Sequence, residues 1–179
     1  MRPVREQLEH DRVIRLLQAK YRRKFEVAVN LGGQQSVSVP IGQSPWYPDL
    51  ILQAPGRGRK VMGVVEVETS ESVNRVEAMS QWAAFSRIRG AFHLYVPQSM
   101  VDVARQICGD LQIPVTEVWA FTNVGDQMRF ALVQRSAAAR PARRGAATSA
   151  VRRKAAKAGT RGAPARKKSS RPSRAQKRK

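Results

Sequence analysis

Three carboxylates stand where a short stretch of chain can bring them together. Asp49 follows Pro48 and opens the apolar run 50–52, while Glu66 and Glu68 sit two residues apart at the end of the β-branched run that begins at Val61. Between the runs lies PGRGRK, in which glycine and proline supply turn conformations and the cations stay in water. The runs are expected to fold as a β-hairpin about Gly56 and Gly58, bringing Asp49 within about one residue of Glu66 across the pair. Like charges opposite each other in a sheet are destabilising, and a shared cation would remove that penalty. The chemistry on offer is therefore metal binding. Glu66 and Glu68, at i and i+2 of a strand, point to one face. The alternative for that face is exposure to solvent, with Val65 and Val67 turned to the core. A one-residue slip would move Asp49 to the face opposite Glu66, so the sequence leaves the register open.

The flanking elements must position these acids. Residues 3–23 read as a helix, with Pro3 suited to a first turn and Leu8, Val13, Ile14, Leu17 and Tyr21 on one face. Residues 25–31, FEVAVNL, alternate as a half-buried strand does, and Gly32-Gly33 breaks them. SVSVPIGQSPW offers a short irregular strand. Beyond Thr69, Val73, Val76, Met79, Trp82 or Ala83, Phe85 and Ile88 recur at helical spacing, predicting a helix over 72–89 stopped by Gly90 as a C-cap glycine. AFHLYVP is a strand, the pattern Ser99-Met100-Val101-Asp102 predicts a capping box opening a helix to Gly109, and 115–122 and 128–134 are strands about a Gly125-Asp126 turn. Hairpins together with helix crossovers predict an α/β fold with a mixed sheet and helices on its faces.

Charge divides the chain. Its 179 residues carry a net charge of +20, but residues 136–179 hold 16 of the 33 Lys and Arg and none of the 13 Asp and Glu. Residues 1–135 keep 17 basic and 13 acidic side chains, a net of +4. We read 1–135 as an α/β domain long enough to bury a core, and 136–179 as a disordered basic tail with too few large apolar residues to order itself. One cysteine and two histidines exclude a disulfide framework and a Cys/His zinc cluster. No run reaches the ~18 apolar residues of a membrane span, and MRPVREQLEHDRV has no apolar signal core; a cytoplasmic, nucleoid-associated protein is expected. Cations without anions release counterions when they bind a polyphosphate. DNA is the expected partner, with RNA the alternative, held by Arg152, Arg153, Lys154, Lys167 and Lys168 in the tail and by Arg57, Arg59 and Lys60 in the hairpin turn. The tail has no apolar face for a membrane, and the oligomeric state, a dimer included, stays open. Trp46 and Tyr47 either stack on a base or pack beneath the hairpin. His93, in an apolar strand, reads as a core histidine.

Pro48-Asp49 followed by Glu66-Val67-Glu68 resembles the motif of the restriction-endonuclease-like PD-(D/E)xK nuclease superfamily. The order helix, strand, hairpin, helix, strand over residues 3–96 is similar to that superfamily's αβββαβ core. The resemblance implies that Asp49, Glu66 and the Val67 backbone carbonyl coordinate Mg²⁺ or Mn²⁺, and that the metal activates water for attack on a phosphodiester. Mg²⁺ suits such a site because it binds through one or two carboxylates and keeps several waters. It further implies Glu68 as the third catalytic position, where the superfamily usually has lysine. Glu9 or Glu6 would be a further metal ligand, and Gln81 a polar contact on the second helix. Arg75 and Lys60 are the cations that could stand in for the lysine. The function expected is a metal-dependent DNA endonuclease tethered by its tail. The alternative is a non-catalytic DNA-binding or chromosome-associated protein that keeps a degenerate nuclease fold.

Overall fold

The computed structural model describes residues 3–136; the tail cations Arg152, Arg153, Lys154, Lys167 and Lys168, and the disorder expected of the tail from residue 137 on, lie outside the described residues. In chain order the elements are α1 (Val4–Tyr21), β1 (Glu26–Val29), β2 (Val39–Ile41), β3 (Ser44–Trp46), β4 (Leu50–Gln53), β5 (Val61–Val67), α2 (Arg75–Glu77), a π turn (Ala78–Trp82), α3 (Ala83–Phe85), β6 (Ala91–Pro97), α4 (Val101–Asp110), β7 (Glu117–Val124) and β8 (Gln127–Arg135). One six-stranded sheet runs in the order β1-β4-β5-β6-β7-β8, and β2 and β3 form a separate antiparallel pair about Gly42. The expected irregular strand is thus two strands.

β4 is antiparallel to both of its neighbours, β1 and β5, and β7 is antiparallel to β8, whereas β5, β6 and β7 run parallel. Parallel neighbours require crossovers, supplied by the helical segment 75–85 and by α4. The expected α/β fold with a mixed sheet and helices on its faces is therefore observed. On one face Val13, Ile14 and Leu17 of α1 pack with Leu50, Leu52, Val65, Val67 and Tyr95. On the other, Trp82, Phe85, Val101 and Ala104 pack with Ile51, Val64, Phe92 and Leu94. β5 is covered on both sides, which excludes the exposed-face alternative for Glu66 and Glu68. The helical faces differ in part from expectation. On α1, Leu8 faces solvent and His10 is buried. In the segment 75–85, Val76 and Met79 face solvent while Ala78 and, of the expected pair, Trp82 are buried, with a π turn over Ala78–Trp82 shifting the helical phase there.

Two helix-boundary signals also acted differently. The helical segment ends at Phe85, and Gly90 serves close approach instead of a C-cap. A Cβ at Gly90 would lie 2.7 Å from the Met62 carbonyl oxygen, and one at Gly63 would lie 2.6 Å from that of Ala91. Ser99 lies within a 3₁₀ turn, and α4 starts from Met100 with no side-chain cap bond. Among the described residues, no helix is long and apolar enough to cross a membrane. The close approach makes a prediction. Gly63→Ala and Gly90→Ala should each lower stability by about 1–3 kcal/mol through overpacking. Gly109→Ala, in α4 with nothing within 4 Å, should be neutral or stabilising by up to about 1 kcal/mol; urea unfolding measures all three.

Candidate functional site

β4 and β5 pair with Leu50 opposite Val65, so the next residues outward, Asp49 and Glu66, face each other on one side of the sheet. The ladder ends there and the side chains extend it. The Val67 N–H donates to Asp49 Oδ2 at 2.8 Å, and the Asp49 N–H donates to Glu66 Oε2 at 3.2 Å. Each carboxylate accepts a main-chain N–H from the opposite arm, a charge-assisted bond that fixes it in place. Both are buried, Asp49 at 9 % and Glu66 at 4 % exposure.

α1 adds a third group. The buried His10 sets Nε2 3.2 Å from Asp49 Oδ2 and Nδ1 3.5 Å from Asp11 Oδ1. Asp11 also accepts from Gln7 Nε2 and the Gly32 N–H. Burial works to raise the Asp11 pKa, but the bonds from Gly32, Gln7 and His10 outweigh it and hold the carboxyl below its ordinary range.

Asn30 ties in the loop that follows β1. Its Nδ2 donates to the carbonyls of Val37 and Pro48, and its Oδ1 accepts the N–H groups of Ser36 and Val37. Its own N–H donates to the Asp49 carbonyl at 2.9 Å. The side chain's bonding capacity is filled, so the loop and Asp49 are one unit. The resulting cleft, about 470 Å³, is lined among others by His10, Asn30, Tyr47, Asp49, Glu66 and Gln81. Gln81 belongs to the π turn, a feature that often marks functional sites, and donates from Nε2 to Glu77 Oε2 at 2.9 Å.

The remaining expected residues are placed elsewhere. Glu68 lies at 1 % exposure under the helical segment, its Oε1 accepting from Trp82 Nε1 at 2.7 Å, and it does not line the cleft. Glu9 accepts from Asn123 Nδ2, whereas Glu6 accepts from Thr69 Oγ1 just past β5. A hydrogen bond to Glu6, together with the charge of Glu6, raises the pKa of Glu71. Arg75 pairs with Asp110 at 2.9 Å. Arg57, Arg59 and Lys60 stand in the turn before β5, whose length at ~3.3 Å per residue sets Lys60 about 20 Å from the acids, with Arg59 3.8 Å from Glu26. Neither Arg75 nor Lys60 lines the cleft. Trp46 packs edge-on against Phe85, centroids 6.0 Å apart. His93 is half-buried and outside both core clusters, with Nδ1 3.1 Å from Glu117 Oε2; burial lowers its pKa, and Glu117 opposes the shift. His10 and Asn30 were missed. The signal for His10 was its spacing, since it precedes Val13, Ile14 and Leu17 on the buried stripe of α1.

Among the described residues, no group of three or more His, Cys, Asp or Glu is arranged to hold a metal ion. Two facing carboxylates line an open cleft, and one or two carboxylates with retained water is the donor set that Mg²⁺ uses. Comparison with family models, curated proteins and solved structures finds no match for this chain.

Three outcomes follow. Asn30→Asp, which removes both donors and sets a carboxylate against two carbonyls, should cost at least about 1–3 kcal/mol in urea unfolding. Glu68→Lys should not rebuild a nuclease lysine; a buried cation against the Trp82 N–H should destabilise the chain by about 3 kcal/mol or more. Because His93 takes up its proton less readily folded than unfolded, stability should fall as pH drops below 6.5, and His93→Gln should flatten that fall.

Proposed function

We propose that this chain is a metal-dependent nuclease with a restriction-endonuclease-like core, its tail holding it on DNA. The observation that carries the reading is the Asp49–Glu66 pair, two buried carboxylates clasped face to face at the floor of an open cleft. The order of α1, β1, the β4–β5 hairpin, the helical segment 75–85 and β6 agrees with the αβββαβ core that the motif implies.

Asp49 and Glu66 would hold a hydrated Mg²⁺ or Mn²⁺. Such an ion supplies an activated water and neutralises charge developing at phosphorus. The chain's own groups supply the positioning. The N–H groups of Asp49 and Val67 fix the two carboxylates, His10 orients Asp49 through Oδ2, and Asp11 holds the far side of the His10 ring. Gln81 presents a carboxamide to whatever occupies the cleft. The cations of the tail add sequence-blind, salt-sensitive affinity for a phosphate backbone.

Glu68 supports a second reading. With lysine replaced by a carboxylate that is bonded to Trp82 beneath a helix, the domain could bind DNA without cutting it. Cleavage of plasmid and oligonucleotide DNA in Mg²⁺ and Mn²⁺ separates the two. The nuclease reading expects cleavage that Asp49→Asn and Glu66→Gln each reduce to background and that His10→Ala slows about 10–100-fold. Removing residues 136–179 should weaken binding and flatten its salt dependence while cleavage persists. Activity retained in both carboxylate variants would exclude the reading, and no cleavage with DNA binding intact would select the second.

A further inference from the structure

Beside the acidic cleft lies a second cavity of about 330 Å³, lined among others by Gln35, Ser44, Trp46, Tyr47, Gln81 and Phe85. Gln35, Tyr47 and Gln81 line both cavities, so the two are adjoining compartments with a common wall. Their chemistry differs. The first holds the carboxylates, while the second has no charged side chain in its lining and offers aromatic surface with two carboxamides. That combination suits a flat, neutral group with hydrogen-bonding edges. Aromatic rings stack on the π-face of any base, and a carboxamide presents a donor and an acceptor to a base edge. The volume is at the small end of the range for ligand sites.

The walls are built to hold position. Trp46, at the end of β3, packs edge-on against Phe85 of α3. Tyr47 lies two residues before Asp49. Gln35 sits in the loop that Asn30 fastens to Ser36, Val37 and Pro48. Gln81 is held by Glu77. A group in the second compartment is therefore kept at a fixed place beside Asp49 and Glu66. A nucleotide has the matching shape, since its base and its phosphate are joined through one sugar.

We propose that the second compartment is a subsite for one unpaired nucleobase, which makes single-stranded or locally unpaired nucleic acid the substrate. The assignment of the first compartment to the phosphate rests on the nuclease reading above. In a duplex the base is stacked and paired, so it must be flipped out before it can enter. A single strand carries no such penalty. DNA and RNA share this chemistry, and the test separates them.

The experiment measures binding without metal, so that it does not depend on cleavage. Full-length protein in EDTA and about 0.5 M salt, which weakens phosphate binding by the tail, is titrated into oligonucleotides carrying 2-aminopurine: a single DNA strand, its RNA counterpart and a blunt duplex. We expect a fluorescence change with a single strand and little with the duplex; the DNA and RNA arms identify which strand the subsite prefers. Tyr47→Ala and Gln35→Ala should each weaken single-strand binding at least about fivefold. Gln35 is in an exposed loop, and circular dichroism checks that both variants fold. Equal response to duplex and single strand, or wild-type binding by both variants, would overturn the subsite. If wild-type protein binds the base yet never cleaves, the subsite stands and the catalytic reading fails.

Discussion

The reciprocal clasp between Asp49 and Glu66 is the constraint on which the rest depends. Two carboxylates placed opposite each other and largely withdrawn from water repel. They are held there because each accepts a main-chain N–H from the opposing arm, just where the ladder between β4 and β5 runs out. The surrounding elements converge on this point. α1 brings His10 to Asp49, the loop after β1 is locked to Pro48 through Asn30, and the π turn carries Gln81 to the same cleft. A buried polar arrangement of this kind needs all its partners to be satisfied, which explains why so much local architecture is given to a handful of side chains.

Covering β5 on both faces has a second consequence. Of the two acids on its helix-facing side, Glu66 reaches the cleft and Glu68 does not. Glu68 is closed over by the helical segment 75–85 and accepts the Trp82 indole N–H. Glu68 thus ties sheet to helix. His10 of α1 comes within bonding distance of the Asp49 carboxylate.

Much of the framework was legible because it rests on local chemistry. The PGRGRK turn, the alternation of FEVAVNL, and the Gly125 turn each dictate their conformations from few residues. What failed depended on tertiary contact. Gly90 looks like a helix stop, and sequence cannot tell a glycine needed for a backbone angle from one needed for close approach to Met62. The phase ambiguity at Trp82 or Ala83 fell at the end of the π turn, and the exposed Val76 and Met79 lie on the wrong side of that shift. The facing of Asp49 and Glu66 was foreseen but not its register, since a period of two carries no phase. His10 was hidden because its partner lies 39 positions away.

The central claim is that the clasped carboxylates take up a divalent cation. Isothermal titration of Mn²⁺ into the full-length protein tests it most directly. The account predicts saturable binding that is lost in both Asp49→Asn and Glu66→Gln and kept in Glu68→Gln, whose carboxamide oxygen can still accept the Trp82 N–H. No saturable binding by the wild-type protein, or equal binding by the Asp49 and Glu66 variants, would contradict it.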